Sequence, residues 1–353
     1  MVLFRPFVEE DNATLLEIEK LCPQGNDKIA EAMDKSPDTI ARYRLYDNWN
    51  VLVAEDEGKI AGWIGWTLKQ NSDDSKYGYL TEVIVHPDFR RKRIATELIK
   101  RAEMNLKENG AAYTYGYIFE ANDASNSMVA KNGYVKVGEM QMQAISVYKK
   151  ANIFSGTSVR LAERGDIQNI VDLINNYNLG RKHFVPYTTE SFETHINDIP
   201  GYGMDKLWVA RSGDEILACA GLWDISTLAK VYYAKETASM RFLGSVFNFL
   251  NRFTAMPKIP AENELFVNQF LTDYALTPEG YNAMSNLIKY LNNNIVDTES
   301  IAIVAFLTPD DPMVQVTEKF KPLAETWNIV AKSLDSQDLS LKPLYLDIRD
   351  FIM

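Results

Sequence analysis

Four basic residues occupy the turn between a predicted strand and a predicted helix in residues 81–100, TEVIVHPDFRRKRIATELIK. They are Arg90, Arg91, Lys92 and Arg93. The first N–H groups of a helix have no acceptor within the helix, and the helix dipole adds positive potential there. A tight turn that leads into a helix is therefore suited to bind a phosphate or pyrophosphate group. One interpretation of this turn is an anion site, and the other is a solvated basic turn.

An acidic residue, Glu82, lies in the middle of the predicted strand that precedes this turn. Because side chains alternate along a strand, Glu82 shares a face with Ile84, whereas Val83 and Val85 face the other way. A carboxylate within a buried strand costs free energy unless it has a partner or a chemical role. Partial burial would raise its pKa toward the range of a useful general base. The alternative is a glutamate that forms a salt bridge or points to solvent.

The composition limits the classes of protein to which this chain can belong. With 353 residues it is long enough for two domains that each bury a core. Lys and Arg number 37 and Asp and Glu 48, which gives a net charge of −11. That charge disfavours nucleic-acid binding, which needs a basic surface, and it fits a protein that handles cationic small molecules.

The cysteines and histidines do not form the pattern of a disulfide framework or a metal site. Cys22 and Cys219 lie far apart, and the three histidines are His86, His183 and His195. We therefore expect no metal. We expect no signal peptide, and the sequence has no apolar run long enough to span a bilayer. The expected location is the cytoplasm, with no membrane partner.

Three blocks of sequence recur in the same order, which predicts two copies of one fold. The blocks are 4–21 with 159–176, 51–66 with 207–223, and 80–89 with 271–280. In the first block, Arg5 and Arg160 precede Asp11 and Asp166 by six residues, and each aspartate begins an amphipathic helical pattern. The second block is typical of a β-hairpin, and the third repeats Leu-Thr-acid and then Pro-acid.

Each copy is predicted to contain a strand, helices, a hairpin, a strand, a helix, a strand, a helix and final strands. The fold class is therefore α+β, a mixed sheet with helices on both faces, twice. Two domains are expected, at 1–150 and 156–353, joined near 149–158. Residues 224–262 have no counterpart in the first copy, and an amphipathic helix is expected at 240–253 within them. The later elements are expected as helix 98–110, strand 113–119 and helix 122–134 in the first copy, and as strands 301–306 and 343–352 in the second.

The segment VIVHPDFRRKRIATELI resembles the signature of the GNAT acetyltransferases, in which a strand leads to Arg/Gln-x-x-Gly-x-Gly/Ala and a helix. Arg90 matches the leading Arg/Gln of that signature, and Ala95 matches its closing Gly/Ala. The order of elements in residues 1–148 also agrees with the family. The stretch NDASNSMVAKNGY is similar to a later family segment, with matches at Asn122, Lys131, Gly133 and Tyr134.

The resemblance implies two tandem GNAT-like domains, each a mixed twisted sheet flanked by helices, with acetyl-CoA as co-substrate. Its pantetheine would pair with the backbone of the Glu82 strand, and its pyrophosphate would bind at the basic turn. Glu82 would be the catalytic base, acting directly or through water on an ammonium substrate. The residues implied in binding acetyl-CoA are Val83, Ile84, Val85, Arg90, Arg91, Lys92, Arg93, Ile94, Ala95, Thr96, Asn122, Ser125 and Lys131.

The sequence departs from the family pattern at two positions. Arg93 stands where the family has its middle Gly, so either its guanidinium binds the phosphates or the turn opens differently. Val129 stands where many members have a Tyr that protonates the departing thiolate. The general acid is therefore unassigned, with Ser127, Tyr115 and Tyr117 nearby in sequence.

The second copy keeps the fold pattern but loses the anion site. No Arg or Lys follows Pro278 before Lys289, and the turn is two residues shorter. Asp273 replaces Glu82, and Asp310 and Asp311 are expected near the position of the phosphates. We predict a degenerate domain that packs on the first copy and walls its acceptor pocket. The alternative is that both halves bind cofactor.

The sequence thus predicts an N-acetyltransferase that moves acetyl to a primary amine of a small molecule by direct attack. One alternative is a protein or peptide acetyltransferase in which residues 224–262 help to dock the substrate. The other is an acetyl-CoA-binding module without catalysis. No nucleic-acid partner is expected, and a homodimer is left open.

Overall fold

The computed structural model describes residues 2–25, 30–250, 259–335 and 339–352. In the first half, the elements are β1 Leu3–Pro6, α1 Asn12–Lys20, β2 Gln24–Gly25, β3 Ala30–Asp34, β4 Trp49–Asp56, β5 Lys59–Gln70, β6 Lys76–Val85, α2 Ile94–Glu108, β7 Ala111–Phe119, α3 Asp123–Lys131 and β8 Val135–Ser146. In the second half, they are β9 Ser158–Leu161, α4 Ile167–Tyr177, α5 Thr189–Asp198, β10 Leu207–Ser212, β11 Glu215–Asp224, β12 Lys230–Lys235, α6 Ala238–Leu250, β13 Leu265–Leu276, α7 Tyr281–Ile295, β14 Ser300–Leu307, α8 Val314–Thr317 and β15 Leu323–Ser333.

The repeated Arg–Asp pair builds the same ion pair at the start of both halves. Two hydrogen bonds of 2.7 and 2.8 Å join the Arg5 guanidinium to the Asp11 carboxylate. The corresponding bonds between Arg160 and Asp166 are 2.6 and 2.9 Å long. Each aspartate also accepts a backbone N–H three residues earlier in the chain, and its arginine holds its pKa below the usual range. The predicted internal repeat is confirmed.

The strands form one mixed sheet in which the two halves exchange strands. Its order is β1-β4-β5-β6-β7-β15-β8-β14-β13-β11-β10-β9. Strand β15 of the second half lies antiparallel between β7 and β8 of the first half, and β8 pairs in turn with β14. The predicted α+β architecture of two tandem mixed sheets with helices is confirmed, but the two sheets are continuous.

Apolar side chains at helical spacing fix α2 on one face of the first half. Ile94, Leu98, Ile99, Ala102 and Leu106 are buried there against β5, β6 and β7. The other face carries a second cluster, formed with α1 and the segment before β4. Its buried members are Leu15, Ile40, Tyr43, Val51, Val53 and Trp63.

The prediction of a final strand at 343–352 is wrong. This segment ends in a 3₁₀ turn, Ile348–Phe351, and runs across the sheet face opposite α2. The Asp350 carboxylate accepts hydrogen bonds from Tyr46 and Tyr115 and pairs with Lys69 at 2.6 Å. Its apolar residues alternate because they pack on the face of the sheet, whereas the strand that completes the sheet is β15, which the sequence pattern missed.

The inserted segment 224–262 joins the two halves a second time. Strand β12 within it pairs antiparallel with β3 of the first half and with β13. The predicted amphipathic helix is confirmed as α6 up to Leu250, and the rest of that prediction lies outside the described residues. Of the helices in the described ranges, none is long and apolar enough to cross a lipid bilayer.

The strand exchange predicts that the halves do not fold independently. If residues 1–155 and 156–353 are expressed separately, β7 and β8 lose the strand between them, so we expect neither half to unfold cooperatively as a monomer. Co-expression should restore a 1:1 complex with a single thermal transition like that of the intact chain. Cooperative unfolding of monomeric 1–155 alone would contradict this expectation, and circular dichroism with analytical ultracentrifugation measures both properties.

Candidate functional site

Strands β6 and β7 part in the middle of the first half and leave backbone edges unpaired with each other. Their parallel pairing runs from Lys76 opposite Ala111 to Tyr79 opposite Tyr115. Beyond it, β6 continues to Val85 and β7 to Phe119 without pairing to each other. An extended ligand can add to such an edge as an extra strand. The predicted cofactor residues of β6 lie on this stretch.

Glu82 sits at a β-bulge in β6. Its φ is 55°, and the register with β5 shifts so that Gly65 faces Thr81 while Trp63 faces Ile84. The second half repeats the bulge at Asp273, whose φ is 47°. A left-handed backbone at a residue other than glycine costs about 1–3 kcal/mol and is concentrated at functional positions. The repeated Leu-Thr-acid motif marks this bulge in both copies.

The Glu82 carboxylate is buried among two cations and a hydroxyl. Its Oε1 accepts hydrogen bonds from the Lys35 ammonium and, at 3.3 Å, from Arg42 Nη1. Its Oε2 accepts the Tyr43 hydroxyl, and the side chain is only 3% exposed. Burial alone would raise the pKa of Glu82, but Lys35 and Arg42 hold that pKa below its usual range. The expectation of a raised pKa is therefore wrong, and the salt-bridged alternative is observed.

A glycine in the β4–β5 hairpin makes room for the tyrosine that binds Glu82. A Cβ on Gly65 would lie 1.9 Å from the hydroxyl oxygen of Tyr43, so no other residue fits there. The second half repeats this arrangement with Gly221 and Tyr202, where the corresponding distance is 1.8 Å. Gly65 and Gly221 are the glycines that the hairpin repeat aligned in the sequence, and a tyrosine covers each.

The basic turn has a strained backbone. Arg91 and Arg93 have φ values of 66° and 61°, in the left-handed region. Helix α2 begins at Ile94, and its first helical hydrogen bond joins Glu97 N–H to the Arg93 carbonyl at 3.1 Å. The N–H groups of Ile94, Ala95 and Thr96 therefore lack helical acceptors. Arg93 keeps the conformation that favours glycine, the residue type of the related motif.

The four basic side chains of this turn have different surroundings. Lys92 Nζ pairs with Asp56 at 2.8 Å. Arg90 reaches back along β6, where its Nε donates to the Val85 carbonyl at 3.2 Å and its Nη2 lies 3.3 Å from Cys22 Sγ. The side chains of Arg91 and Arg93 are exposed. Arg91 and Arg93 are therefore the predicted anion ligands whose charge is available, whereas the Lys92 charge is already paired.

The predicted residues of α3 form a helix cap. Asn122 is the N-cap, and its side-chain oxygen accepts the Ser125 N–H at 3.1 Å. Lys131 is exposed in the last turn of the helix, and Val129 packs against the α2 core. These residues lie beside the end of β7, but the Asn122 side chain already has a structural partner.

The three hydroxyls considered as general acid differ in environment. Ser127 is exposed, and the buried Tyr115 donates to Asp350 at 2.7 Å. The Tyr117 hydroxyl is buried and has no hydrogen-bond partner among the described residues. Burial and the nearby Asp350 carboxylate raise the pKa of Tyr117. Tyr117 also contacts the C-terminal Phe351, with ring centroids 4.8 Å apart.

In the second half, side chains fill the space between the parting strands. Pairing of β13 with β14 ends at Phe270 opposite Val304. Tyr274, which aligns with Val83, donates its hydroxyl to the Phe306 carbonyl at 3.4 Å and to Asp311 at 3.1 Å. Asp311 therefore lies buried in this gap, and the prediction that it lies near the position of the phosphates is wrong. Between these side chains only a cavity of about 30 Å³ remains, which is room for little more than a water molecule.

The turn of the second half is also shorter than predicted. Eight residues, 86–93, separate β6 from α2, whereas four, 277–280, separate β13 from α7. The turn is four residues shorter, because α7 starts sooner than its Leu-Ile-Lys motif suggests. At the bulge, His195 Nε2 lies 3.1 Å from Asp273 Oδ1, a pair that the sequence did not reveal.

Two further acidic residues lie close to each other between the halves. Glu31 lies on β3, and Glu325 lies on the exchanged strand β15. Burial, together with the Glu325 charge, raises the pKa of Glu31 to about 7. Burial also raises the pKa of Glu325. Sequence reasoning missed this pair, as it missed Lys35, because both depend on contacts made by the segment between α1 and β4, which has no match in the repeat.

Comparison with known proteins identifies the fold. Residues 14–134 match the model of the acetyltransferase (GNAT) family. A tandem GNAT protein from the clavulanic acid biosynthesis pathway, solved without AcCoA, is similar with a TM-score of 0.58 and 13% identity over 96% of this chain and 100% of that chain. A GCN5-related N-acetyltransferase from Sphaerobacter thermophilus has a TM-score of 0.59 and 12% identity over 96% and 98%. N-myristoyltransferase from Saccharomyces cerevisiae, with bound myristoyl-CoA, has a TM-score of 0.60 and 11% identity over 94% and 78%.

The left-handed φ of Arg93 predicts that a glycine at this position stabilises the protein. Arg93→Gly should raise the free energy of unfolding by about 1 kcal/mol, because it relieves the strain of a positive φ. Arg93→Ala removes the same charge but keeps a Cβ, so it should leave stability nearly unchanged. Urea unfolding of the two variants measures the difference, and equal effects would show that the turn is not strained.

Glu31 predicts a pH-dependent stability. Its folded-state pKa of about 7 lies above the ordinary value of 4.5, so ionisation destabilises the fold as the pH rises from 4.5 toward 7. Glu31→Gln should therefore raise the free energy of unfolding on the order of 2 kcal/mol at pH 8 and have little effect near pH 4.5. The exposed Glu108→Gln is the control. A Glu31→Gln effect that does not vary with pH would contradict the assignment.

Proposed function

Since residues 14–134 match the model of the acetyltransferase (GNAT) family and the chain has the fold of tandem GNAT proteins, we propose that it is an N-acetyltransferase. It would move the acetyl group of acetyl-CoA to a primary amine. The amine nitrogen attacks the acetyl carbonyl directly, the carbon–sulfur bond breaks, and CoA leaves as the thiolate, which takes up the proton that the attacking nitrogen loses as the amide forms. The ammonium form of the acceptor loses a proton before the attack.

The observation that carries this proposal is the anion site at the start of α2, next to the parting of β6 and β7. The free N–H groups of Ile94, Ala95 and Thr96 and the exposed guanidinium groups of Arg91 and Arg93 suit a pyrophosphate. The backbone of Val83–Val85 would pair with the pantetheine. Arg90, which now contacts the Val85 carbonyl, would have to move from that edge when the cofactor binds.

We place the active centre in the first half only. Strand β6 carries Val83, which has no hydroxyl, at the position of Tyr274, whereas the Tyr274 hydroxyl and Asp311 lie in the corresponding space of the second half. The short turn of the second half also carries no basic side chain. Its role in the proposal is to complete the sheet with β15 and to wall the acceptor side.

A small-molecule amine is the acceptor that the surroundings favour. The pairing of β3 with β12 and the C-terminal segment around Asp350 both cover the sheet face on which Glu82 lies. Such cover leaves less room for a protein substrate than for a small molecule. The half-buried acidic pair, Glu31 and Glu325, and the net charge of −11 favour a cationic acceptor.

Glu82 is the proposed proton acceptor. It is held ionised by Lys35 and Arg42, and its Oε2 has the Tyr43 hydroxyl as its partner. A carboxylate oxygen has two lone pairs, so Oε2 can accept one further N–H. Positioning of the amine and the thioester would supply most of the remaining rate advantage.

A non-catalytic acetyl-CoA-binding module is the second candidate. Two observations favour it: Val129 cannot donate a proton, and Glu82 is closed in by charged partners. Such a module would bind acetyl-CoA without releasing CoA to any amine.

A CoA-release assay with matched amines and peptides tests the proposal. We expect small cationic amines to release CoA faster than peptides, and Glu82→Gln to lower kcat roughly 100-fold or more while acetyl-CoA affinity stays the same. Glu139→Gln, at a half-exposed position on β8, is the matched control, and circular dichroism verifies that each variant folds. Acetyl-CoA binding without CoA release from any acceptor would instead identify the non-catalytic module.

A further inference from the structure

We infer that Glu19 is a positioning residue that sets the basicity of Glu82 through the ammonium group of Lys35. The inference rests on the proposed acetyl transfer, in which Glu82 takes the proton of the amine. It concerns a charged side chain of α1 that the proposed reaction does not otherwise use.

Lys35 is shared between two carboxylates. Its ammonium contacts Glu19 Oε1 on one side and Glu82 Oε1 on the other, and its side chain is 2% exposed. Glu19 is 12% exposed and also accepts the Thr39 hydroxyl at 3.0 Å. Of the three charged groups, Glu19 is thus the one nearest to solvent, and Lys35 is its connection to Glu82.

The two carboxylate oxygens of Glu82 have different hydrogen-bond partners and therefore different roles in the proposed site. Oε1 already accepts two donors, Lys35 and Arg42, so both of its lone pairs are used. Oε2 accepts only the Tyr43 hydroxyl among the described residues and has one lone pair left for a substrate N–H. A change in the charge around Oε1 therefore alters the basicity of the carboxylate without blocking the oxygen that faces the amine.

The charge count of the cluster depends on Glu19. When Glu19 is ionised, two carboxylates balance Lys35 and Arg42. When Glu19 is protonated, both cations act on Glu82 alone, which weakens Glu82 as a base. A weaker base removes the proton of the amine more slowly.

The surroundings of Glu19 shift the pKa at which it changes its charge. Burial raises the pKa of Glu19, the Lys35 charge opposes that rise, and the Glu82 charge adds to it. The other titratable groups that face it are Cys22 beside the end of α1 and Tyr232 on β12. Neither of these supplies a positive charge, so Lys35 is the cation through which Glu19 acts.

The inference predicts a defined pattern of kinetics. In the wild type, kcat should rise as the pH rises through the pKa of Glu19. Glu19→Gln should lower kcat by roughly 10-fold, remove that step from the pH profile and leave the Kd of acetyl-CoA unchanged. The matched control is Glu17→Gln on the exposed face of the same helix, which should change none of these.

A double-mutant cycle tests the path through Lys35. If Glu19 acts through Lys35, then Glu19→Gln should have no further effect on kcat in a Lys35→Met background. Additive effects of the two changes would contradict the inference. If Lys35→Met does not fold, Lys35→Arg retains the charge and should retain the Glu19 step in the pH profile.

A measurement without acetyl transfer separates this inference from the proposed function. With ¹³C-labelled glutamate carboxyl groups, the Glu82 resonance should shift at the pKa of Glu19 in the wild type, and it should show no such shift in Glu19→Gln. If the chemical shift of the Glu82 carboxyl carbon does not change when Glu19 titrates, the inference is overturned, whether or not the protein transfers acetyl groups. A shift in a chain that transfers no acetyl group would overturn only the proposed function, because the coupling would stand.

Discussion

The insertion of β15 between β7 and β8 is the constraint on which the rest of the structure depends. A strand that follows α8 in the second half supplies the neighbour of β7, the strand that bounds the candidate site. The chain that leaves β15 then has to cross the face of the first half, which brings Asp350 to Lys69 and Tyr115. The second half therefore cannot be removed without exposing a strand edge and the buried Lys69 charge.

Each half buries an acidic side chain at a β-bulge, but the partners that compensate its charge differ between the two halves. Both place an acid at a bulge with a left-handed φ, and both cover a hairpin glycine with a tyrosine. In the first half, two buried cations compensate Glu82, so the carboxylate stays charged. In the second half, Asp273 has a histidine partner and the gap between the strands is filled by Tyr274. The repeated backbone thus carries the proposed site in one copy and a gap narrowed by side chains in the other.

The sequence predicted what depends on local pattern. The Arg–Asp pairs, the hairpins and the basic turn follow from spacing within a few residues, whereas the left-handed φ of Arg93 was not predicted. Sequence reasoning missed β15, because its partner strand β7 lies about 200 residues away in the chain. The residue pattern of β15 alone does not identify that partner. Sequence reasoning also mistook the alternation in 343–352 for a strand, since packing on a sheet face produces the same period.

The candidate site divides in the same way. The motif located Glu82, but its pKa depends on Lys35 and Arg42, which reach it from a segment with no counterpart in the repeat. Alternation along β6 gave the faces of Val83, Ile84 and Val85 correctly, because a single bulge residue leaves the following strand regular. Contacts between charged side chains that are far apart in the chain, such as those of Lys35 and Arg42 with Glu82, could not be predicted from residue spacing in the sequence.

The central claim is that one half binds a CoA ester and the other half only supports it. Isothermal titration of the purified, cofactor-free chain with acetyl-CoA tests this claim most directly, because it counts sites without any assumption about the acceptor. The account predicts one site per chain, since Tyr274 and Asp311 fill the second gap. Two sites per chain, or none, would contradict it.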